Sequence, residues 1–356
     1  MSATTMLQGG TGPWPVGAAS EREIVALYEA LLAPEARERF DRSDGWFGRY
    51  HGKLVRAPEG ARYIRSLRNL VGVDGVELNG KTVLDLGCGF GLTCMTLALL
   101  GARRVHGVDI AQPMLRTFRA CLDGPGGRAR ALPVAASGGA LPYPAGSFDL
   151  VLIVEALSHT LDPSACLREA HRVLKPGGTL VIADDNNGAN PAAAREAHEI
   201  WERFENGPPT DNVHGHRVRI PYVERRRRII RGAFPDLAQD VVERLSRGTC
   251  YMTRAQVIAA CGRFVEAGVF PESFYSFGGR CPVEPETGQF IENLLDPFAL
   301  RAELEAIGFR VRVRAYFGGE SRGGLVKLAN DALNAVLPLE LILRRSPGFR
   351  IQATKA

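Results

Sequence analysis

The sequence predicts an α/β fold built on a doubly wound, mainly parallel sheet, with a helical cap ahead of it and a mainly helical insertion after the fifth strand. Three observations predict this. From Lys81 to about Asn187, short β-rich runs ("KTVLDLGC", "RRVHGVDI", "ARALPVAA", "FDLVLIVEAL", "GGTLVIADD") alternate with helical segments, and parallel neighbours need such crossovers. The first run ends in glycines at alternate positions, Gly87, Gly89 and Gly91, a strand-to-helix turn in which bare backbone permits close approach. Near the end of the chain, "PFALRAELEAIGFRVRVRAYFG" reads as a helix, a stop at Gly308 and an alternating strand, and "PGFRIQATK" reads as another strand. These last two strands are expected to pair as an antiparallel edge.

The elements divide the chain into five stretches. Residues 1–19, rich in Gly, Thr, Pro and Ala, are expected to form a flexible arm. Residues 20–79 form the helical cap. "SERE" at Ser20 to Glu23 has capping-box spacing, and Ile24, Leu27, Tyr28, Leu31 and Leu32 then recur at helical intervals. "SDGWFGRYHGK" follows as an aromatic-rich connection, and "PEGARYIRSLRNLVG" offers a second amphipathic helix. Residues 80–187 carry the glycine turn and the five strands. Residues 188–296 form the insertion, with helices expected in "VRIPYVERRRRIIRG", "PDLAQDVVERL" and "TRAQVIAACGRFVEAG". Residues 297–356 complete the sheet. Within them "GGLVKLANDALNAVLPLELILRR" reads as an apolar helical segment broken at Pro338, expected to pack on the core or the insertion rather than on a membrane surface.

Composition sets outer bounds. A chain of 356 residues with 45% apolar content is ample for one large domain carrying an insertion. No apolar run is long enough to span a bilayer, and the N-terminus lacks a basic region followed by an apolar one. The seven cysteines are odd in number, scattered and free of CxxC pairs, which reads as reduced thiols and a cytoplasmic location. A net charge of +5 gives no reason to expect a nucleic-acid partner.

The glycine turn raises the question of its ligand. A dinucleotide fingerprint would place its third glycine at position 92, which is Leu92, and no Gly-Lys-Ser/Thr follows to make a phosphate loop. Asp109 ends the second strand in "VHGVDIAQPML", about where an acid accepts hydrogen bonds from two ribose hydroxyls. "VLDLGCGFG", "VHGVDIAQPML", "LPYPAGSFDLV" and "REAHRVLKPGGTLVIAD", in that order and spacing, resemble the class I S-adenosylmethionine-dependent methyltransferases, especially the small-molecule enzymes related to ubiquinone-type methyltransferases. The resemblance covers roughly residues 80 to 186 and implies a Rossmann-like seven-stranded sheet with S-adenosyl-L-methionine as cofactor. It further implies that Asp85 accepts from the methionine ammonium and that Gly87, Cys88 and Gly89 approach the amino-acid moiety. By the same resemblance Asp109 holds the ribose diol, Ile110 and Leu141 flank the adenine, and Glu155 lies at the cofactor site. One departure stands out: many relatives carry an acid before the "LPF" segment, and the aligned residue here is Ser137, which brings no charge to the adenine.

Methyl transfer needs positioning and water exclusion, and acid–base help that depends on the acceptor. His159, just after the fourth strand, is the candidate base, with an orienting role as the alternative. Asp184, Asp185, Asn186 and Asn187 follow the fifth strand as acceptor contacts or as caps of the next helix. A metal held by Glu155, Asp185 and Asn186 is the minor alternative, so no metal is assigned, and "HGH" at His214 to His216 reads as a loop feature. The arginines of "RVRIPYVERRRRIIRG" read as a solvated helix face, with a grip on an anionic acceptor as the sharper option. Tyr50 and His51, with Trp46 and Phe47, are candidates to close over the sulfonium as an aromatic lid at the substrate side, and core packing of the cap is the alternative. The expected function is methylation of a small molecule, O-methylation slightly ahead, in specialised metabolism or glycan modification. Two alternatives stay open: an intramolecular cyclase that releases methylthioadenosine, and a non-catalytic cofactor-binding regulator or partner subunit.

Overall fold

The computed structural model describes residues 19–31, 33, 52, 56, 58–72, 78–124, 127, 129–213, 216–278, 280–288, 292–319 and 324–356. They form two compact units, one of residues 1–185 with 297–356 and the other of residues 186–296.

In the first unit, α1 (Glu21–Leu31) and α2 (Glu59–Gly72) precede the sheet. The capping box is formed: the Glu23 carboxylate accepts from the Ser20 amide at 2.7 Å, and the Ser20 hydroxyl accepts from the Glu23 amide at 3.3 Å. The apolar stripe of α1 docks through Ile24 and Tyr28 against Ile64 of α2 and Leu92. The Tyr28 hydroxyl is hydrogen-bonded to Thr96, and that of Tyr63 to Thr93 at 2.7 Å, which ties both helices to α3 (Leu92–Leu99).

The strands are β1 (Thr82–Leu86), β2 (Arg104–Asp109), β3 (Ala131–Ala135), β4 (Phe148–Val154) and β5 (Leu174–Asp184), interleaved with α3, α4 (Gln112–Leu122) and α5 (Pro163–Val173). After the insertion come α10 (Pro297–Ile307), β8 (Phe309–Tyr316), α11 (Gly324–Val336), α12 (Leu339–Leu343) and β9 (Gly348–Lys355). One seven-stranded sheet results, in the order β3-β2-β1-β4-β5-β9-β8. β1 to β5 run parallel, β9 is antiparallel to β5, and β8 is antiparallel to β9. The two terminal strands thus pair as the sequence predicts, and Gly308, at φ 112, makes the turn from α10 into β8. β1 is buried along its whole length, as a central parallel strand covered on both faces must be. The reversal in strand order between β1 and β4 opens a crevice at the carboxyl ends of the strands, where ligands of such sheets bind.

The segment expected to bury an apolar helix in the core behaves otherwise. α11 turns its polar side toward β8: Asn334 accepts from the Ala315 amide at 2.9 Å and donates to the Ala315 carbonyl at 3.0 Å. Its apolar side is exposed. The reason is local, because β8 is an edge strand whose free backbone groups are met by side-chain amides, and an apolar helix face cannot supply them.

The second unit contains α6 (Pro191–Asn206), a two-stranded hairpin of β6 (Thr210–Val213) and β7 (His216–Val218), and the helices α7 (Tyr222–Ala233), α8 (Gln239–Arg247) and α9 (Arg254–Ala267). α6 and the hairpin are absent from the sequence-based expectation. The signals for α6 are Asn190, whose side chain accepts from the amides of Ala192 and Ala193, and Pro191 in the first turn. Ile229 and Ile230 of α7 pack with Val242, Leu245, Val257 and Cys261 as this unit's apolar core.

Candidate functional site

The turn after β1 is built by backbone hydrogen bonds. The amides of Gly87 and Cys88 donate to the Val108 carbonyl at 2.8 and 3.1 Å, and that of Gly91 donates to the Cys88 carbonyl at 2.8 Å. The three glycines have positive φ, and they are glycine for different reasons. A Cβ on Gly87 would fall 2.4 Å from Ala156 Cβ, and one on Gly91 would sit inside the Phe118 ring, 2.2 Å from its nearest atom. A Cβ on Gly89 would meet only Met114 Sδ, at 3.8 Å. Gly87 and Gly91 therefore serve packing, and Gly89 leaves open space in front of bare backbone, the cradle that an adenosyl amino acid needs.

Asp109 closes this cradle. One carboxylate oxygen accepts from the Gly89 amide and the other from the Ala111 amide, both at 2.8 Å. The acid thereby joins the β1 turn to the end of β2, and each oxygen keeps lone-pair capacity for a hydroxyl donor. Beside it Ile110 is 80% exposed, an apolar plate next to a hydrogen-bonding carboxylate. Leu141 is buried, and its loop is clamped from α5: its amide donates to Glu169 at 2.6 Å and its carbonyl accepts from Arg172 at 3.0 Å. Ser137 is exposed and its hydroxyl accepts from the Gly139 amide at 3.3 Å, a local turn.

Asp85 lies buried beneath the turn. Cys94 donates to its carboxylate at 3.1 Å, and burial pushes the Asp85 carboxyl up to about 6 against the opposing pull of that hydrogen bond. Burial also pushes the Cys94 thiol well up, so it stays protonated and donates. The Cys88 side chain points the same way: a Cβ on Gly107 would fall 2.7 Å from the Cys94 sulfur and 2.8 Å from that of Cys88. Cys88 can offer a ligand its main chain, not its thiol.

At the end of β4, Glu155 is the one non-glycine residue with positive φ, 49°, among the described residues. Its amide donates to the Ala183 carbonyl at 2.8 Å, and its carboxylate accepts from the Asp185 amide at 3.2 Å. Such backbone strain is held only where the surroundings impose it. His159 ends a short 3-10 turn (Leu157–His159) and is exposed. Of the four polar residues after β5, Asp184 is buried and accepts from the Ser158 amide at 3.3 Å, and Asn187 is buried and accepts from the Ala189 amide at 3.1 Å. Asp185 is exposed and Asn186 half-buried. Two of the four are thus committed to backbone, for the reason that caps and turns need them. Tyr50, His51, Trp46, Phe47 and His214 lie outside the described residues. Among the described residues no three His, Cys, Asp or Glu side chains are grouped to hold a metal ion.

In the second unit the arginines of α7 are engaged internally. Arg225 pairs with Glu284 at 2.8 Å, Arg227 with Glu243 at 2.6 Å and Glu224 at 2.7 Å, and Arg228 with Glu224 at 3.6 Å. Arg226 is fully buried, paired with Glu205, and donates to the Ser246 carbonyl at 2.8 Å. Arg225, Arg226 and Arg227 are thus held by glutamates inside the unit, whereas Arg219, Arg228 and Arg231 are exposed. A cavity of about 730 Å³ opens in the same unit, lined among others by His198, Glu202, Arg203, Arg247, Phe274 and Phe277. His198 was not anticipated from sequence. Its ring stacks on Phe277 with centroids 4.2 Å apart, its Nε2 accepts from the Gly278 amide at 3.0 Å, and burial lowers its pKa.

Residues 84–182 match the family model described as a methyltransferase domain. Among curated proteins, the chain is similar to the ubiquinone biosynthesis O-methyltransferase of Pseudomonas paraeruginosa, 37% identical over 116 residues, which cover 33% of this chain and 48% of that protein. The protein of the same name from Thiobacillus denitrificans is 36% identical over 112 residues, covering 32% and 47%. The chain thus spans about half the length of the curated relatives it matches. Among solved structures, an S-adenosylmethionine-dependent methyltransferase from Mesorhizobium loti aligns with a TM-score of 0.43 at 19% identity, covering 83% of this chain and 99% of that one. Residues 84–182, the stretch that holds the β1 turn, Asp109 and Glu155, are thus similar to a methyltransferase domain, set on a Rossmann-like seven-stranded sheet.

Proposed function

We propose that this protein transfers the sulfonium methyl group of S-adenosylmethionine to a small-molecule acceptor, with a hydroxyl oxygen favoured as the receiving atom. The observation that carries the reading is the Asp109 carboxylate, held by the Gly89 and Ala111 amides in front of unfilled space at Gly89 and beside exposed Ile110. When bound, the cofactor supplies an electrophilic methyl group. This chain's residues would bind and orient it: Asp109 at the ribose, Ile110 and Leu141 at the adenine, Asp85 and the Gly87–Gly89 backbone at the amino acid. Ser137 leaves the adenine without a charged partner, so adenine recognition rests on apolar contact and backbone.

At the acceptor side, His159 is the candidate to take the proton that an attacking hydroxyl loses. Asp185 and Asn186, after β5, are further candidates for acceptor contact, and the unit of residues 186–296 is the candidate for acceptor choice. Oxygen is favoured because the similar curated proteins are O-methyltransferases, and product analysis identifies the methylated atom.

The test is mass spectrometry of the purified protein with S-adenosylmethionine, alone and with a small-metabolite extract. S-adenosylhomocysteine that forms only with extract, matched by a methylated product, supports methyl transfer. Methylthioadenosine without extract replaces it with internal cyclisation, and tight binding with no product replaces it with a sensor. With the acceptor in hand, His159→Ala is expected to lower kcat by about a hundredfold while leaving cofactor affinity intact; normal turnover would remove His159 as the base.

A further inference from the structure

The outer surface of α11 has an unusual composition. Every exposed residue from Leu325 to Leu337 is apolar: Leu325, Val326, Leu328, Ala329, Ala332, Leu333, Ala335, Val336 and Leu337. Leu325 is 83% exposed, Val336 79% and Leu328 64%. The polar residues of the same helix are half-buried or buried and have partners. Lys327 and Arg314 bond to Asp331, Asn330 donates to the Gly318 carbonyl, and Asn334 is bonded to both backbone groups of Ala315. The helix is therefore inside out, and its orientation is locked by hydrogen bonds to β8. Leu341, on α12, extends the apolar strip past Pro338. A contiguous apolar patch of this kind marks an interaction surface.

Charge decides what the surface meets. From Phe309 to Arg350 the sequence holds eight basic and three acidic residues, a net +5 that equals the formal net charge of the whole chain. Arg310, Arg312, Arg344 and Arg345 are exposed. A second copy placed face to face would set two such collars against each other, which costs free energy. An anionic lipid surface complements both features: α11 is about 20 Å long at 1.5 Å per residue, and its apolar side can sink into the acyl boundary while the basic collar meets the headgroups.

We propose that α11 and α12 form a docking surface that seats the protein on an anionic lipid bilayer, with the helix lying in the plane of the interface. No helix among the described residues is long and apolar enough to cross a membrane. The test is co-sedimentation of the full chain with vesicles of phosphatidylcholine alone and of phosphatidylcholine mixed with phosphatidylglycerol. Binding is expected to the mixed vesicles, to weaken in about 0.5 M salt, and to fall on the order of a hundredfold in Leu328→Glu/Val336→Glu. Arg344→Gln/Arg345→Gln is expected to lose several-fold, on the mixed vesicles only. Both variants change exposed side chains, and their circular dichroism melts and cofactor affinity should match those of the parent. The proposal is overturned if the parent stays in solution with both vesicle types, or if the double-glutamate variant sediments as the parent does. It is equally overturned if light scattering shows a dimer that the double-glutamate variant dissolves and no vesicle binding is seen, which would make a second copy the occupant.

Discussion

Each of the two units of this protein is organised internally by different means. At the carboxyl edge of the sheet the working parts are backbone: amides of Gly87, Cys88 and Gly89, a single carboxylate at Asp109, and glycines that let strands and rings approach. In residues 186–296 they are side chains, with Arg225, Arg226 and Arg227 each pinned by a glutamate from another part of the unit. A backbone device needs a particular residue at a particular position, and its spacing shows in the sequence. A side-chain network needs only complementary charge brought together by the fold, and its spacing carries no signature.

The sharpest way to break this comparison is at Arg226. Arg226→Met leaves the buried Glu205 carboxylate without its counter-charge, and burial already raises the Glu205 pKa. The expected loss is about 3–5 kcal/mol, read from denaturant unfolding. Pairing it with Glu205→Leu should recover most of that loss, since the desolvated charge disappears with its partner. An Arg226→Met protein that melts with the parent would contradict the role assigned to the pair.

On the sheet side, Gly91→Ala forces a methyl into the Phe118 ring at a positive φ and should cost about 2–3 kcal/mol of stability. Gly89→Ala has room, so it should cost about 1 kcal/mol of stability and instead weaken cofactor binding, because the methyl occupies the cradle. Calorimetric titration with S-adenosylmethionine separates the two, and equal affinities would sink the distinction. Asp109→Ala should weaken binding by roughly 1.5–3 kcal/mol; unchanged affinity would remove it from the ribose position.

A smaller effect follows from Asp85. The ionised form is the one that accepts from a cationic ammonium group, and its pKa is pushed up to about 6. Cofactor affinity should therefore fall about tenfold for each pH unit below about 6. Stability of the free protein runs the other way, since the folded-state value lies above the unfolded one. The Asp85 contribution is present below about pH 4 and lost as pH rises through about 6. An affinity flat between pH 5 and 7 would show that Asp85 does not meet the ammonium group. Last in size is Arg227→Gln, whose ion pairs are partly exposed; a loss of about 0.5–1 kcal/mol that shrinks with added salt is expected.

The comparison also explains what was legible beforehand. The strands, the Gly308 turn and the closing antiparallel pair could be read because hydrophobic alternation and glycine positions encode them locally. The helix Pro191–Asn206 carried a cap and a proline, but its buried face mixes Trp201 and Phe204 with His198 and Glu205, which blurs the apolar stripe. α11 misled in the opposite sense: its leucines recur as a buried face would, and the contacts of Asn330, Asp331 and Asn334 with β8 and the turn after it decide which side turns inward. Asp184 looks like a free ligand in sequence, because nothing local announces the Ser158 amide it accepts from, whereas Asn187 accepts from the Ala189 amide two residues on, a local turn of the kind its side chain favours.

The clip made by Asp109 has a kinetic consequence. Since both carboxylate oxygens already hold amides, the turn after β1 and the start of α4 are fastened to each other before any ligand arrives. The Gly89 and Ala111 amide protons should then exchange slowly with solvent in the free protein and change little on saturation. The cofactor, on this account, enters a mould that is already set, and its arrival is governed by encounter rather than by loop closure.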